Sequence, residues 1–363
     1  MRWCPVLFAA AICASAAAQQ VFVVSGGGRA LQLAAQRANP GDTLVVRPAR
    51  YSPVIVDKGI AVLCDPGVTI YSSAPLEGLR ISGVPAGEVF AMRGGVFEIG
   101  TGAFPLAALD CAGALVFEQV DVPAGFVRDC AQVAFNDVET TDLTVTRSSV
   151  SFVDCVMAGG FGDPTSGSVL LGLNASIAVS GGSVIGADAQ SPRPAMRAIY
   201  AIDSRLTVAG SAATTLAGGN GGVPALELVG GSLRIDPAVS LVAYGSPAIV
   251  GTGTVTQTAI PWVQAQGVAS GQPFTEVAHG TPGALLAVFA NVPVAPITTP
   301  FGDLWLTLPG LVIDAGVVPP GRTLTRSFAL PPLPRGATFV FQPIELMPPG
   351  PLVIGTPTGV VAH

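Results

Sequence analysis

Charge is scarce in this chain of 363 residues: Asp, Glu, Lys and Arg make up only 11% of it, against about 25% in an ordinary globular protein. Lys58 is the single lysine and no basic cluster exists, so the phosphate-tracking surface of a nucleic-acid binder is excluded. The net charge of −6 is mild for this length, and a polyanion finds no basic groove. Only two histidines occur, His279 and His363, both in the last third. There is no Cys-x-x-Cys pair and no Cys/His cluster, so nothing has the spacing of a zinc site. After residue 18 no apolar run is long enough to span a bilayer as a helix.

What the chain has in quantity is glycine (45), proline (32) and hydrophobic residues (50%). Such a mixture would read as low complexity were the hydrophobic residues not periodic. They are. A four-residue phrase, small or polar, aliphatic, any residue, usually apolar, recurs eleven times. Its second residues are Leu44, Ile60, Leu79, Val96, Leu115, Val133, Val150, Ile177, Leu206, Leu233 and Val255. The steps between them run 16, 19, 17, 19, 18, 17, 27, 29, 27 and 22 residues. Short alternating strands at this spacing predict a β-solenoid, each unit one coil stacked on the last.

The first eighteen residues read as a secretory signal: Arg2, an apolar stretch from Val6 to Ala14, and Ala16-Ala17-Ala18 as a small-residue cleavage site. The expectation is an exported protein, extracellular or on the cell surface. Its division is 1–18 signal peptide, 19–260 solenoid and 261–363 a second domain. Of six cysteines, four lie beyond the signal, and an oxidising compartment permits bridges. Cys111 and Cys130 fall at the same phase of neighbouring coils, roughly 4.8 Å apart, within the Cα range of a disulfide. The expectation is a Cys111–Cys130 bridge or a stacked pair of buried thiols, with Cys64 and Cys155 as unpaired core residues.

Residues 25–72 contain a recognisable opening: Ser25-Gly-Gly-Gly, a short helix from Arg29 to Ala38, the turn Asn39-Pro40-Gly41-Asp42, the strand Thr43–Arg47, Tyr51 and a second strand Val54–Val56. With the repeats behind it, it resembles the opening of secreted right-handed parallel β-helix proteins of the pectate-lyase-like group. The resemblance covers roughly residues 21–260. It implies an all-β fold, a right-handed parallel β-helix of about 11 coils whose first coil is covered by the N-terminal helix. A small antiparallel β-sandwich follows, expected from the alternating segments 284–290, 303–308, 324–330, 338–342 and 352–354 between the 16 prolines of residues 271–363. This tail also offers a C-terminal cap for the solenoid.

From residue 150 the coils lengthen, and the added residues 159–167, 186–197 and 217–224 have loop composition. Stacking predicts that they emerge side by side, a loop patch at 159–224 on a rigid scaffold. The group named above includes polysaccharide lyases and glycoside hydrolases, which work with paired acids, or with Ca²⁺-binding acids and an Arg or Lys base. The candidate catalytic residues are Asp163, Asp188, Arg193 and Arg197. Arg193-Pro194-Ala195-Met196-Arg197 only partly matches the Arg-x-Pro-x-x-Arg phrase of pectate lyases. Asn220 and Asp203 are candidate ligand-binding residues. No cofactor is required, Ca²⁺ at Asp163, Asp188 and Asn220 being the one option. The solenoid has no histidine and no Asp-Asp pair. The leading expectation is therefore a non-catalytic protein with a structural, adhesive or glycan-contacting role, its partner a polysaccharide or a surface protein. A polysaccharide lyase or glycoside hydrolase working at the loop patch is the alternative.

Overall fold

A computed structural model describes residues 19–72, 77–99, 104–159, 167–190, 194–267, 272–307, 309–329 and 333–363. Three parallel sheets wrap one apolar core. The first has eleven strands, running in chain order from Val21–Val24 to Thr254–Gln257. The second begins at Ala49–Tyr51 and ends at Ser240–Val242; the third begins at Val54–Val56 and ends at Ile249–Gly251. Two eight-residue strands, Asp121–Arg128 and Glu139–Thr146, run unbroken across the second and third sheets, so these two join into one array of 16 strands. The chain is a parallel β-helix, as its period implies.

Register shows how coils stack. Val54, Leu79, Leu106, Gly125, Leu143, Leu170, Ile199, Leu226 and Ile249 form one continuous inner ladder on the third sheet. On the first sheet Phe117, Phe135 and Phe152 stack with centroids 5.0 and 5.1 Å apart, an internal column as the repeat predicts. Two copies of the repeat phrase sit elsewhere than expected. Leu79 belongs to the third sheet and Val96 to the second, and the first sheet instead takes Val21–Val24 and Val89–Arg93. One early coil is therefore long: Val62 pairs with Met92, thirty residues on. The phrase describes any inward-facing strand, so it marks strands without saying which side of the coil they occupy.

The corners explain residues that the repeat phrase leaves out. At the corner from the third sheet to the first, the residue that follows each third-sheet strand from Leu79–Ser82 to Leu226–Val229 has positive φ: Gly83, Asp110, Asp129, Arg147, Asn174, Asp203 and Gly230. At the corner from the first to the second the series is Gly94, Gln119, Asp137, Asp154 and Gly181. Gly, Asn and Asp tolerate this left-handed conformation best. The acids strung along the compact coils are thus largely corner residues, each passing its backbone N–H to the next coil, as Asp129 does to Thr146 O at 3.1 Å.

The helix Ala30–Arg37 buries Leu31 and Ala35 against the first coil. Asp42 holds the turn beside it, its carboxylate accepting the N–H of Asn39 at 2.7 Å and of Gln20 at 2.9 Å. Tyr51 is buried and donates to Arg47 O at 2.8 Å. These contacts give the recognisable opening its physical reason.

After the last coil come antiparallel sheets of three and five strands around a shared core that includes Phe274, Val288, Phe341 and Val360. The expected strands are present, joined by Pro273–His279, Pro293–Thr299, Leu311–Val317 and Thr358–Val361. This sandwich does not cap the solenoid. It lies along the outside of the first sheet, whose outward residues Ala61, Leu63, Ala91, Val116 and Ala134 are buried with Val361. The sequence reads ALVF and QVAF there because these strands are covered on both sides. Small side chains allow close approach: a Cβ on Gly359 would lie 2.9 Å from Ala134 Cβ. The final rung, Thr254–Gln257, is exposed at all four residues.

Candidate functional site

The lengthened coils do what the loop composition predicts. Their insertions leave from one corner, between the second and third sheets, and the described residues of the second and third insertions touch; residues 160–166 of the first lie outside the described residues. Ala189 N–H donates to Asn220 O at 3.1 Å, and Asn220 N–H donates to Asp188 Oδ1 at 2.7 Å. Asp188 and Asn220 are thus brought together, with the carboxylate serving as a turn anchor. Arg197 sits at the start of the strand Arg197–Ile202, where its guanidinium pairs with Glu227 at 2.5 Å and lies over the Tyr200 ring at 5.3 Å. Its charge is spent on the outer face of the third sheet. Asp163 and Arg193 lie outside the described residues. Among the described residues no group of three His, Cys, Asp or Glu side chains is placed to hold a metal ion.

Asp203 belongs to a different place. It stands at the far end of Arg197–Ile202 from the loop corner, about 20 Å away at roughly 3.3 Å per residue. There the turns of successive coils line an open trough of about 490 Å³, a size that accommodates a small ligand. Two polar stripes run along it, parallel to the solenoid axis. One is the row of corner residues Arg147, Asn174 and Asp203; the other is Ser149, Ser176, Arg205 and Ser232, held in register by strand pairing. The sequence offered a signal for this site, the Asp, Asn or Gly recurring at most of the corners before first-sheet strands, Arg147 being an exception. It could be read as a ligand row only once stacking had put the residues side by side.

Local contacts fix the trough's polarity. Arg147 is held by Asp129 through Nε and Nη2 at 2.7 and 2.6 Å, which keeps the Asp129 carboxyl below the usual range. Arg205 donates from Nη1 to Thr298 Oγ1 at 2.6 Å and to Asp303 Oδ1 at 3.0 Å, while Ser176 donates to Asp303 Oδ2 at 2.9 Å. One side of the trough is therefore tied to the sandwich hairpin formed by Pro293–Thr299 and Gly302–Leu306. Gly230 leaves room for Asp203, since a Cβ there would stand 2.3 Å from Asp203 Oδ1. The result is an alternating row of amide, carboxylate, hydroxyl and guanidinium groups. It suits hydrogen bonding to a polyhydroxylated ligand; among the described residues Asp203 is the one acid lining it.

Perturbed acids lie at the seam between solenoid and sandwich and inside the sandwich. Glu118 is fully buried, accepts the N–H groups of Val361 at 2.8 Å and of Gly267, and lies 3.5 Å from Arg93 Nε. Burial pushes its carboxyl up against the pull of Arg93 and those N–H donors. Asp154 is raised to about 6 by burial and then by the charge of Asp137. Inside the sandwich Glu276 is raised to about 8 by burial and by Asp314, and His279, stacked on Trp262 at 3.9 Å, is lowered to about 4 by burial and then by Arg322. These groups face the protein's own interior. No protein-family model matches the chain, and comparison with curated proteins gives no match.

Proposed function

We propose that this is an exported, non-catalytic parallel β-helix protein of the cell surface or extracellular space, and that it contacts a neutral polysaccharide along the axial trough. The observation that carries the reading is the trough itself. Its donors and acceptors repeat with the coil spacing, so an extended polymer laid along the axis meets equivalent groups at successive steps. The lack of a basic surface favours a neutral chain over an acidic one. Among the described residues of the loop patch, Arg197 is committed to Glu227 and Asp188 to the Asn220 amide, which argues against their serving as the base and acid of a lyase or hydrolase.

The test is retention of the protein on immobilised neutral and acidic polysaccharides, with new reducing or unsaturated ends followed in parallel. Asn174→Gly removes a trough side chain at a corner that glycine adopts freely, and Asp203→Asn keeps the corner and removes the charge. The expected result is retention on a neutral polymer, weakened at least tenfold by Asn174→Gly, with no product formed. Retention that both variants leave unchanged, or turnover of any polymer, would refute the proposal.

A further inference from the structure

One residue beyond each left-handed corner residue, between the third and first sheets, runs an inward ladder: Cys111, Cys130, Ser148, Ala175 and Ser204. Backbone bonds link its rungs from coil to coil, Ala131 N–H to Cys111 O at 2.8 Å, Ser149 N–H to Cys130 O at 3.2 Å and Ser176 N–H to Ser148 O at 2.9 Å. The side chains repeat one geometry. Cys111 Sγ and Cys130 Sγ lie 3.2 and 3.4 Å from the carbonyl two residues back, as Ser148 Oγ and Ser204 Oγ do at 2.8 Å each. Cys111 and Cys130 are the only neighbours in this ladder that are both cysteines, and both are nearly fully buried. Both are thiols in this structure.

We infer that Cys111 and Cys130 are a redox pair which closes to a disulfide and staples two of the coils on which the sandwich docks. The strands that follow them, Ala114–Glu118 and Gln132–Asn136, bear Val116, Glu118, Ala134 and Asn136. These meet the tail through Val361, Gly359, Gly267 and Ala265. Equivalent positions on adjacent coils are one strand spacing apart, roughly 4.8 Å, inside the Cα range a disulfide accepts. The reaction is thiol–disulfide exchange. The two Cys thiols lose two protons and two electrons to form the S–S bond, and a small-molecule or protein disulfide is reduced to two thiols. Both sulfurs are buried once the coils close, so the exchange belongs to folding.

The test is refolding of the full chain in oxidised or reduced glutathione, with alkylation in denaturant and peptide mapping. The expected result is a linked peptide containing Cys111 and Cys130 in the oxidised sample, with Cys64 and Cys155 alkylated. The oxidised protein should melt above the reduced one. The Cys111→Ser/Cys130→Ser double variant, which places at both rungs the residue found at 148 and 204, should fold and lose that redox shift. Free, alkylated Cys111 and Cys130 after oxidative refolding would overturn the inference, as would their linkage to other cysteines. Coincident melts of the oxidised and reduced wild type would overturn the staple.

Discussion

Glu118 allows the docking of sandwich on solenoid to be tested at one atom pair. Its carboxylate is fully buried and is the acceptor for two backbone N–H groups from separate parts of the tail, Gly267 and Val361. Glu118→Ala leaves both donors unsatisfied in the seam and half-buried Arg93 without its partner. An orphaned buried donor costs about 1–3 kcal/mol, and breaking a buried ion pair about 3–5 kcal/mol. These terms overlap, so the expected loss for alanine is about 3–5 kcal/mol. Glu118→Gln keeps one acceptor oxygen and should lose about 1–3 kcal/mol. The assay is denaturant unfolding combined with hydrogen exchange at the Gly267 and Val361 amides. Exchange there should quicken while the amides of the Phe117–Phe135–Phe152 column stay protected. The reasoning is refuted if alanine and glutamine cost the same and under about 1 kcal/mol, or if both seam amides keep their protection.

Phe135→Ala removes the middle ring of the phenylalanine column and should cost about 3–5 kcal/mol, read as a lower denaturation midpoint. Asp137 sits at a left-handed corner, φ 53°, so Asp137→Val should lose about 1–2 kcal/mol and Asp137→Gly little; equal losses in calorimetry would sink the corner argument. Glu276, held near 8 against an ordinary value of 4.5, binds its proton more tightly folded than unfolded. Its stabilising contribution is full below about pH 4.5 and fades as pH rises to about 8, so melting of the wild type should fall across that window and Glu276→Gln should flatten the slope. Parallel slopes would remove Glu276 as the cause. His279, lowered to about 4, contributes the opposite sign between pH 6.5 and 4, where replacing it should raise relative stability in acid.

Much of the solenoid was legible because its period is a property of the sequence itself. The helix, the Asn39–Asp42 turn, the inner phenylalanines and the loop corner all follow from local chemistry. Leu79 and Val96 were misplaced because a strand's apolar pattern is the same on any of three sheets, and left-handed Gly and Asp residues occur at two of the corners. The flank docking of the sandwich had a signal in the doubly apolar strands at 114–117 and 132–135, but their cover lies more than 200 residues away in sequence. Asp188 and Asn220 were rightly joined by coil phase. Arg197 was expected at the rim of the same patch, but its guanidinium is bound to Glu227 on the neighbouring strand of the third sheet, which loop composition does not reveal.

The exposed last rung makes the protein a zipper with one free end. Each coil is held mainly by its two neighbours, so Thr254–Gln257, with one neighbour, is where opening begins. The sandwich grips the flank from Thr43, bonded to Arg335 O, through Ser176 and Arg205, bonded to Asp303, to Asp236, which pairs with Arg322. Fraying that starts at the free end therefore meets its first clamp one rung in, at the coil of Asp236. The tail thus acts as a lateral splint, turning a stack able to peel coil by coil into one that opens as a single unit.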